Sequence, residues 1–387
     1  MTAKCSMPHV REFISLAQEL FQTNDFIPLH VPTFGGNEKK YVLDTLESTM
    51  VSSVGAYVNQ FETQLADYTQ VPRATAVVNG TAGMQVALRL VGVKPGEEVI
   101  TQALTFVATA NAIHHNHAEP VFVDVDLDTM GMSPNALRAF LEHHAELRKD
   151  GTYNKKTGKR IGACMPMHTF GFVCRIEEIV AICKSYRIPV VEDAAEALGS
   201  FTQKRSAGTF GEIGVFSFNG NKIITAGGGG AMVSPDEKLM EKAKYITNTA
   251  KQPHTWEYVH DEYGYNFRMP NLNAALVSAQ LEQIDHFLEN KKGLYEAYTE
   301  ACPSLGLTMK AIPETTERWN YWLQAVELEN REQRDAFLKE TNEHGVMTRP
   351  IWQLIYRLPM YAHCQRDGQE NAEFLEERIV NIPSSVR

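Results

Sequence analysis

Lys222 is the first side chain in the sequence whose setting suggests covalent chemistry. It follows the small and polar run at 217–221, SFNGN, and precedes a run of four glycines at 227–230. A lysine that is desolvated or set beside another cation can have a lowered pKa and form a Schiff base with a carbonyl group. A lone lysine in a glycine-flanked loop is more often a solvated surface residue. The spacing around Lys222 therefore leaves both interpretations open.

Two acids, Glu192 and Asp193, end the apolar run that begins at residue 189. The carboxyl ends of strands are where open α/β sheets place their ligand contacts. A carboxylate at this place could pair with a protonated pyridine nitrogen and strengthen the ring as an electron sink. Asp193 is our candidate for that role, and a helix-capping aspartate is the alternative.

A third segment, VVNGTAGM at 77–84, has the pattern of a strand, a turn and a helix. Free amides at the start of that helix, together with the hydroxyl of Thr81, predict a phosphate site around Gly80. An ordinary turn capped by Thr81 is the alternative. No Gly-Lys-Ser/Thr follows, so this is not a Walker loop, and the glycine run at 227–230 precedes a strand rather than opening a helix.

These residues need a scaffold, and the sequence predicts an α/β domain with a mostly parallel sheet, because apolar runs alternate with helical patterns from about residue 25 to 245. Predicted strands are residues 76–79, 98–102, 120–126, 163–169, 189–193, 214–218 and 230–234. Predicted helices are residues 82–91, 133–147 and 176–186, and residues 149–159 form an exposed loop or hairpin.

The pattern changes at both ends of this region. Residues 8–22 read as a short amphipathic helix, residues 273–292 as one long helix and residues 322–328 as a strand. We therefore predict an N-terminal helical extension at 1–24, a large α/β domain at 25–250 and a smaller α+β domain at 251–387.

Composition narrows the classes of function. The net charge of -10 and the lack of a basic stripe argue against nucleic-acid binding, and no apolar run is long enough for a membrane span. The N-terminus lacks a signal-peptide pattern, and six scattered cysteines are typical of a reducing compartment, so we expect a cytoplasmic protein. The histidines at 114, 115 and 117 have no partners at zinc spacing, and we predict no metal site.

Taken together, four motifs and Lys222 resemble the DegT/DnrJ/EryC1/StrS family of sugar aminotransferases over about residues 27–385. The motifs are NGT at 79–81, TFVAT at 105–109, EDAA at 192–195 and SFN at 217–219. The resemblance implies the aspartate aminotransferase-like fold type I, with a mostly parallel seven-stranded sheet in the large domain. It also implies pyridoxal 5′-phosphate (PLP) as cofactor, with pyridoxamine phosphate as its intermediate form.

The resemblance also assigns roles to individual residues. Lys222 matches the Schiff-base lysine that also moves the proton, and Asp193 matches the partner of the pyridine nitrogen. Further cofactor contacts are implied for Gly80, Thr81, Ala82 and Ser217 at the phosphate, Phe106 stacked on the ring, and Glu196 near the ring hydroxyl. Asn266 matches a residue that reaches the phosphate in the neighbouring subunit, which implies a homodimer with shared active sites.

The segments at 25–30, 36–41, 51–55 and 320–322 are similar to the legionaminic-acid and bacillosamine branch of the family. That branch transfers an amino group from glutamate to UDP-2-acetamido-4-keto-2,6-dideoxyhexoses, giving UDP-4-amino sugars for lipopolysaccharide, O-antigen or other surface glycans. Ser52, Ser53, Tyr321 and Arg349 are the candidate substrate contacts, with structural loop roles as the alternative.

Two other functions remain open at this point. The dehydratases of the superfamily carry histidine in place of the lysine, so Lys222 favours transamination over dehydration. A PLP-binding regulatory protein without turnover is the second alternative, and the lack of a DNA-binding module argues against it.

Overall fold

The computed structural model describes residues 9–387, so Cys5 and Pro8, the first residue of the predicted helix at 8–22, lie outside the described part. The helices are α1 (Val10–Phe21), α2 (Glu38–Glu47), α3 (Ala56–Thr69), α4 (Gly80–Leu90), α5 (Val107–His115), α6 (Pro134–His144), α7 (Ile176–Ser185), α8 (Glu237–Thr247), α9 (Asn271–Leu281), α10 (Ile284–Ala301), α11 (Arg331–Glu343) and α12 (Glu370–Glu376). The strands are β1 (Arg73–Val77), β2 (Glu98–Gln102), β3 (Glu119–Val123), β4 (Ala145–Arg148), β5 (Gly151–Asn154), β6 (Ile161–Met165), β7 (Val191–Asp193), β8 (Phe201–Thr202), β9 (Arg205–Ser206), β10 (Ile213–Ser217), β11 (Gly230–Ser234), β12 (Thr308–Met309), β13 (Gln324–Glu327), β14 (Arg349–Pro350) and β15 (Ile379–Ile382).

The main sheet has two sections that meet at β6 and β7. One section is parallel in the order β3-β2-β6, and the other runs β1-β11-β10-β7, with β11 antiparallel to both of its neighbours. Parallel bridges from Cys164 to Val190 and from Met167 to Asp193 connect the two sections. Every residue of β2, β6, β7 and β11 is buried, as expected for strands covered by helices on both faces.

Each of the seven strands predicted between residues 76 and 234 overlaps an observed one, and the differences lie at their ends. The strand predicted at 163–169 ends at Met165, and Thr169–Gly171 instead forms a 3-10 turn. The predicted helix at 133–147 ends at His144, and the chain continues directly into the β4-β5 hairpin. Ser133 caps α6 by accepting from the N–H of Ala136, with proline at the first helical position, which explains why its start was predictable.

The predicted single helix at 273–292 is wrong, because the chain turns at Glu282 and Gln283 between α9 and α10. Both turn residues are held from outside the helices. Gln283 Nε2 donates to Glu38 Oε1 at 2.6 Å, and Tyr41 Oη donates to Glu282 Oε1 at 2.8 Å. The break lets the almost fully buried α9 pack on α2 and α3, while α10 lies against the C-terminal sheet.

That second sheet has the order β12-β13-β15-β14 and shares a core with α1, α10 and α11. The Phe13 ring of α1 lies 5.1 Å from the Phe337 ring of α11, so the N-terminal helix packs on the C-terminal part of the chain. The division into domains at residues 24 and 250 stays a prediction. Among the described residues, no helix is both long and apolar enough to cross a bilayer.

Candidate active site

A cavity of about 610 Å³ opens where β7 and β10 end and α4 begins. Strand order explains the placement, because parallel strands bring their carboxyl ends to one edge of a sheet. The cavity wall includes most of the predicted site residues: Gly80, Thr81, Phe106, Asp193, Glu196, Ser217, Lys222 and Arg349. The two residues of β14 and the three that follow it also line this cavity, which we call the active-site cavity.

Lys222 lies on the cavity wall with its side chain only 13% exposed. Its Nζ is 3.3 Å from Glu196 Oε1 and 4.2 Å from the centre of the Trp322 ring. Trp322 also fixes the lysine loop, because its Nε1 donates to the carbonyl of Asn221 at 2.7 Å. The sequence reasoning assigned Trp322 only to a branch motif and missed its contact with the lysine.

Asp193, at the end of β7, is 2% exposed and held by two donors. Thr109 Oγ1 donates to Oδ2 at 2.6 Å, and the N–H of Ala195 donates to Oδ1 at 3.1 Å. Burial raises the pKa of Asp193, and the hydrogen bond from Thr109 is the largest of the effects that oppose the rise. Thr109 belongs to the TFVAT motif, but only the structure shows that its hydroxyl supports the carboxylate.

Glu196 is the second buried acid of the cavity. Its Oε2 accepts from the N–H of Phe170 at 2.9 Å, and its Oε1 faces Lys222. Burial raises the pKa of Glu196 to about 7, and the charge of Lys222 limits that rise. Near neutral pH this carboxyl group can therefore both give and accept a proton beside the lysine amine.

Glu192, next to Asp193, holds the end of β7 from behind. Its fully buried carboxylate accepts from His168 Nε2 at 2.9 Å and from the N–H groups of Gly208, Phe210 and Gly211 at 2.6–2.9 Å. His168 Nδ1 accepts from the N–H of Cys174, which places the ring proton on Nε2. This network rigidifies the backbone that carries Asp193.

The N-terminus of α4 forms the other end of the cavity. Asn79 caps the helix, and its Oδ1 accepts from the N–H of Ala82 at 2.8 Å, so that amide already has a partner in this structure. The helix start also lies close to β10, because a Cβ on Gly80 would come within 3.1 Å of Ser217 Cβ. Gly80, Thr81 and Ser217 thus form a tight, polar corner at a helix N-terminus, which is a favourable site for phosphate.

Phe106 and Arg349 also reach the cavity. Phe106 precedes α5 and exposes 52% of its surface, which leaves an apolar face for a flat ring. Arg349, on β14, is exposed and donates to Asn342 Oδ1 at 3.0 Å.

The structure places the other predicted contacts outside the cavity of a single chain. Tyr321 has a positive φ of 54° and turns its ring to within 4.6 Å of the Trp319 ring. Ser52 and Ser53 lie before α3, where the Ser52 carbonyl accepts from the N–H of Asn271 at 2.7 Å. Asn266 is exposed, its Oδ1 accepts from Arg268, and it does not line the active-site cavity.

A lysine with little exposed surface, a buried carboxylate at a strand end and a phosphate-type helix start are together typical of a PLP enzyme of fold type I. The chain belongs to the DegT/DnrJ/EryC1/StrS aminotransferase family, whose sequence profile matches residues 32–387. Among its relatives is EpsN of Bacillus subtilis, to which PLP-dependent aminotransferase activity is ascribed, at 37% identity over 92% of this chain and 90% of EpsN. The GDP-perosamine synthase of Escherichia coli O157:H7 is 35% identical over 93% of each chain.

The solved structures agree with the family. The aminotransferase TlmJ from Streptoalloteichus hindustanus superposes with a TM-score of 0.83 and 26% identity over 93% of each chain. The protein is thus a PLP-dependent sugar aminotransferase. The predicted family, cofactor and class of reaction are confirmed, whereas the legionaminic-acid and bacillosamine branch is not.

Proposed function

We propose that the chain transfers the amino group of glutamate to C4 of a nucleotide-linked 4-keto-6-deoxy sugar. The observation that carries this proposal is the position of Lys222, whose amine lies in the cavity beside Glu196 and close to the polar corner at the start of α4. That arrangement supplies a covalent attachment point, a proton-exchanging neighbour and a phosphate site in one cleft.

PLP, when bound, supplies the electron sink that stabilises negative charge on the reacting carbon. The residues of the chain hold it and move protons. Gly80, Thr81 and Ser217 would hold the phosphate, and Phe106 would cover the ring. Asp193, whose charged form is favoured by the hydrogen bond from Thr109, would hold the proton on the pyridine nitrogen.

Lys222 would then do the proton chemistry. The amine of glutamate would first take the place of Lys222 at the cofactor. The freed Nζ of Lys222 would then remove the proton from the α-carbon of glutamate and, as a general acid, donate it to the cofactor carbon. Glu196, at 3.3 Å and with a pKa raised to about 7, can exchange that proton with the amine. The buried setting of both groups limits loss of the proton to water.

The sugar and its nucleotide are open to two candidates. The N-terminal and 320s segments support UDP-2-acetamido-2,6-dideoxy-hexos-4-ulose, which would give a UDP-4-amino sugar for surface glycans. Relatives named GDP-perosamine synthase, at 32–35% identity, favour a GDP-linked sugar as the second candidate. Transamination of either follows the same residue roles.

A second copy of the chain would complete the site. Three exposed aromatic residues, Trp256, Tyr258 and Tyr263, precede Asn266 and expose 76–91% of their surface. Exposed apolar groups of this size are typical of protein interfaces. We propose that a homodimer covers them and brings Asn266 to the neighbouring cofactor phosphate. Light scattering would test this, with Asn266→Ala expected to weaken PLP binding while leaving the dimer intact.

The test of the reaction uses the pyridoxamine form of the protein with a panel of UDP-, GDP- and dTDP-4-keto sugars, with products identified by NMR. One panel member should give a 4-amino sugar and regenerate PLP. Loss of a sugar hydroxyl without nitrogen transfer would instead support a dehydratase. Retained PLP with no half-reaction on glutamate would support the non-catalytic alternative.

A further inference from the structure

We propose a second site, for a zinc-type divalent metal ion, formed by Glu119, His363 and Cys364. Glu119 begins β3, and the other two residues follow the 3-10 turn at Pro359–Tyr361. None of the three lines the active-site cavity. The site is therefore separate from the proposed aminotransferase chemistry.

The three donor atoms already have nearly the spacing that a tetrahedral zinc ion needs. His363 Nε2 is 3.3 Å from Glu119 Oε1 and 3.9 Å from Cys364 Sγ, and all three atoms lie within 4.8 Å of one another. Usual zinc bond lengths at the tetrahedral angle put oxygen and nitrogen donors about 3.3 Å apart, and nitrogen and sulfur donors about 3.6 Å apart. Small movements of the side chains would bring the three donor atoms to zinc-binding distances.

The combination of a carboxylate, an imidazole and a thiolate indicates which metal ion the site would bind. Thiolate and imidazole ligands favour zinc and related borderline-soft metals, whereas magnesium and calcium prefer all-oxygen sites. Three protein ligands leave a fourth position for water or a further side chain. The surroundings leave room for it, because cavities flank the cluster on two sides, and His114 and His117 line one of them.

The sequence could not have indicated this site. Glu119 has neither of its partners nearby in the chain, because His363 and Cys364 belong to a segment close to the C-terminus. Folding brings them together because Tyr361 Oη donates to Asn111 Oδ1 on α5 at 2.6 Å and the N–H of Phe122 on β3 donates to the carbonyl of Gln365 at 2.9 Å. A metal ion would connect β3 to this C-terminal segment.

Lys159 is the one cation that contacts the cluster directly among the described residues. Its ammonium group pairs with Glu119 Oε2, and His363 pairs with Oε1, so the two oxygens have different partners. A metal on Oε1 would be repelled by the lysine charge. Two kinds of substitution should therefore change the metal affinity in opposite directions. Removal of Lys159 should strengthen metal binding, whereas removal of a ligand should weaken it.

The test uses tag-free, PLP-loaded protein, equilibrated with Zn²⁺ after chelator treatment and analysed for bound metal. We expect one zinc ion per chain, with affinity at least about tenfold weaker in His363→Ala and Cys364→Ser. His254→Ala is the matched control for the histidine, because His254 forms an exposed pair with Glu257 at 3.7 Å. Cys302→Ser is the control for a buried free thiol.

Two further readouts separate a ligand set from general metal adsorption. Co²⁺ should give visible ligand-field bands at wavelengths longer than the cofactor absorbs, and Cys364→Ser should lose them. Lys159→Ala should bind Zn²⁺ more tightly than the unchanged protein, and Mg²⁺ should not compete. Equal zinc retention in His363→Ala and in the unchanged protein would overturn the proposal, as would no retention at all. His363 is 67% exposed, so its substitution should not impair folding.

Discussion

The two halves of the proposed active site are built differently. On the cofactor side, Asp193 and Glu196 are almost completely buried, and each is fixed by hydrogen bonds from neighbouring elements of the same chain. On the sugar side, Ser52 and Arg349 are exposed, and Tyr321 packs on Trp319 and does not line the cavity. The chemistry is thus set by the fold of one chain, whereas the contacts to the sugar lie on surfaces that a ligand or a second subunit can still rearrange.

Replacement of Lys222 is the largest expected perturbation of the cofactor side. Lys222→Ala removes the covalent attachment and the proton-transfer group, so formation of 2-oxoglutarate from glutamate should slow by roughly 10²–10⁴-fold or more. Single-turnover kinetics with PLP-loaded protein measure this rate. Lys204→Ala, on an exposed turn, is the control and should match the unchanged protein. If Lys222→Ala forms 2-oxoglutarate as fast as Lys204→Ala, Lys222 is not the group that carries the chemistry of the cofactor side.

Glu196 should make the stability of cofactor-free protein depend on pH. Its pKa is about 7 in the folded protein and near 4.5 when unfolded, so the folded state binds an extra proton between these values. The contribution of Glu196 to the free energy of unfolding is therefore highest below pH 4.5. It falls by roughly 3 kcal/mol as the pH rises to 7. Denaturant unfolding at a series of pH values should show a shallower decline in Glu196→Gln.

The matched control for that experiment is Glu257→Gln, because Glu257 is exposed on the surface. Its pH dependence should follow that of the unchanged protein. If Glu196→Gln and Glu257→Gln give the same slope, the burial of Glu196 does not have the energetic consequence described here.

Thr109 should reveal how strongly the buried carboxylate depends on its donor. Thr109→Val keeps the shape and removes a hydrogen bond to a charged group, which contributes about 1.5–3 kcal/mol. We expect PLP binding about 10–100-fold weaker and a raised pKa for Asp193, both measurable by titration of the visible absorbance. Thr109→Ser restores the donor and should restore both properties. A serine variant as impaired as the valine variant would show that the hydroxyl is not the cause.

The sugar side should give the smallest effects on the protein itself. Arg349→Ala and Ser52→Ala remove exposed groups, so the free energy of unfolding should change by no more than about 0.5 kcal/mol. The glutamate half-reaction should also be unchanged, while the KM for the nucleotide sugar rises. A loss of the glutamate half-reaction in either variant would mean that the two sides are not separable.

The contrast between the cofactor side and the sugar side also explains which site residues the sequence could predict. Asp193 and Ser217 end strands, Lys222 follows a strand and Phe106 precedes a helix. The structure places all four residues on the wall of one cavity. Their common location follows from strand order, which apolar runs and turn residues indicate well.

What the sequence could not predict depends on contacts between distant segments. Thr109 and Asp193, which share a hydrogen bond, lie 84 positions apart. The turn between α9 and α10 is held by side chains of α2 and by Asn37, the residue before that helix. Tyr321 lies outside the cavity because its backbone adopts a left-handed conformation against an aromatic cluster, which periodicity does not reveal.

One measurement tests the central claim most directly: 2-oxoglutarate released from glutamate by PLP-loaded protein, before and after addition of a nucleotide 4-keto sugar. We predict a single release of about one equivalent per active site without sugar, and continuous turnover once a suitable sugar is present. No release, or continuous release without sugar, would contradict an aminotransferase that passes nitrogen through Lys222 and the bound cofactor to a sugar.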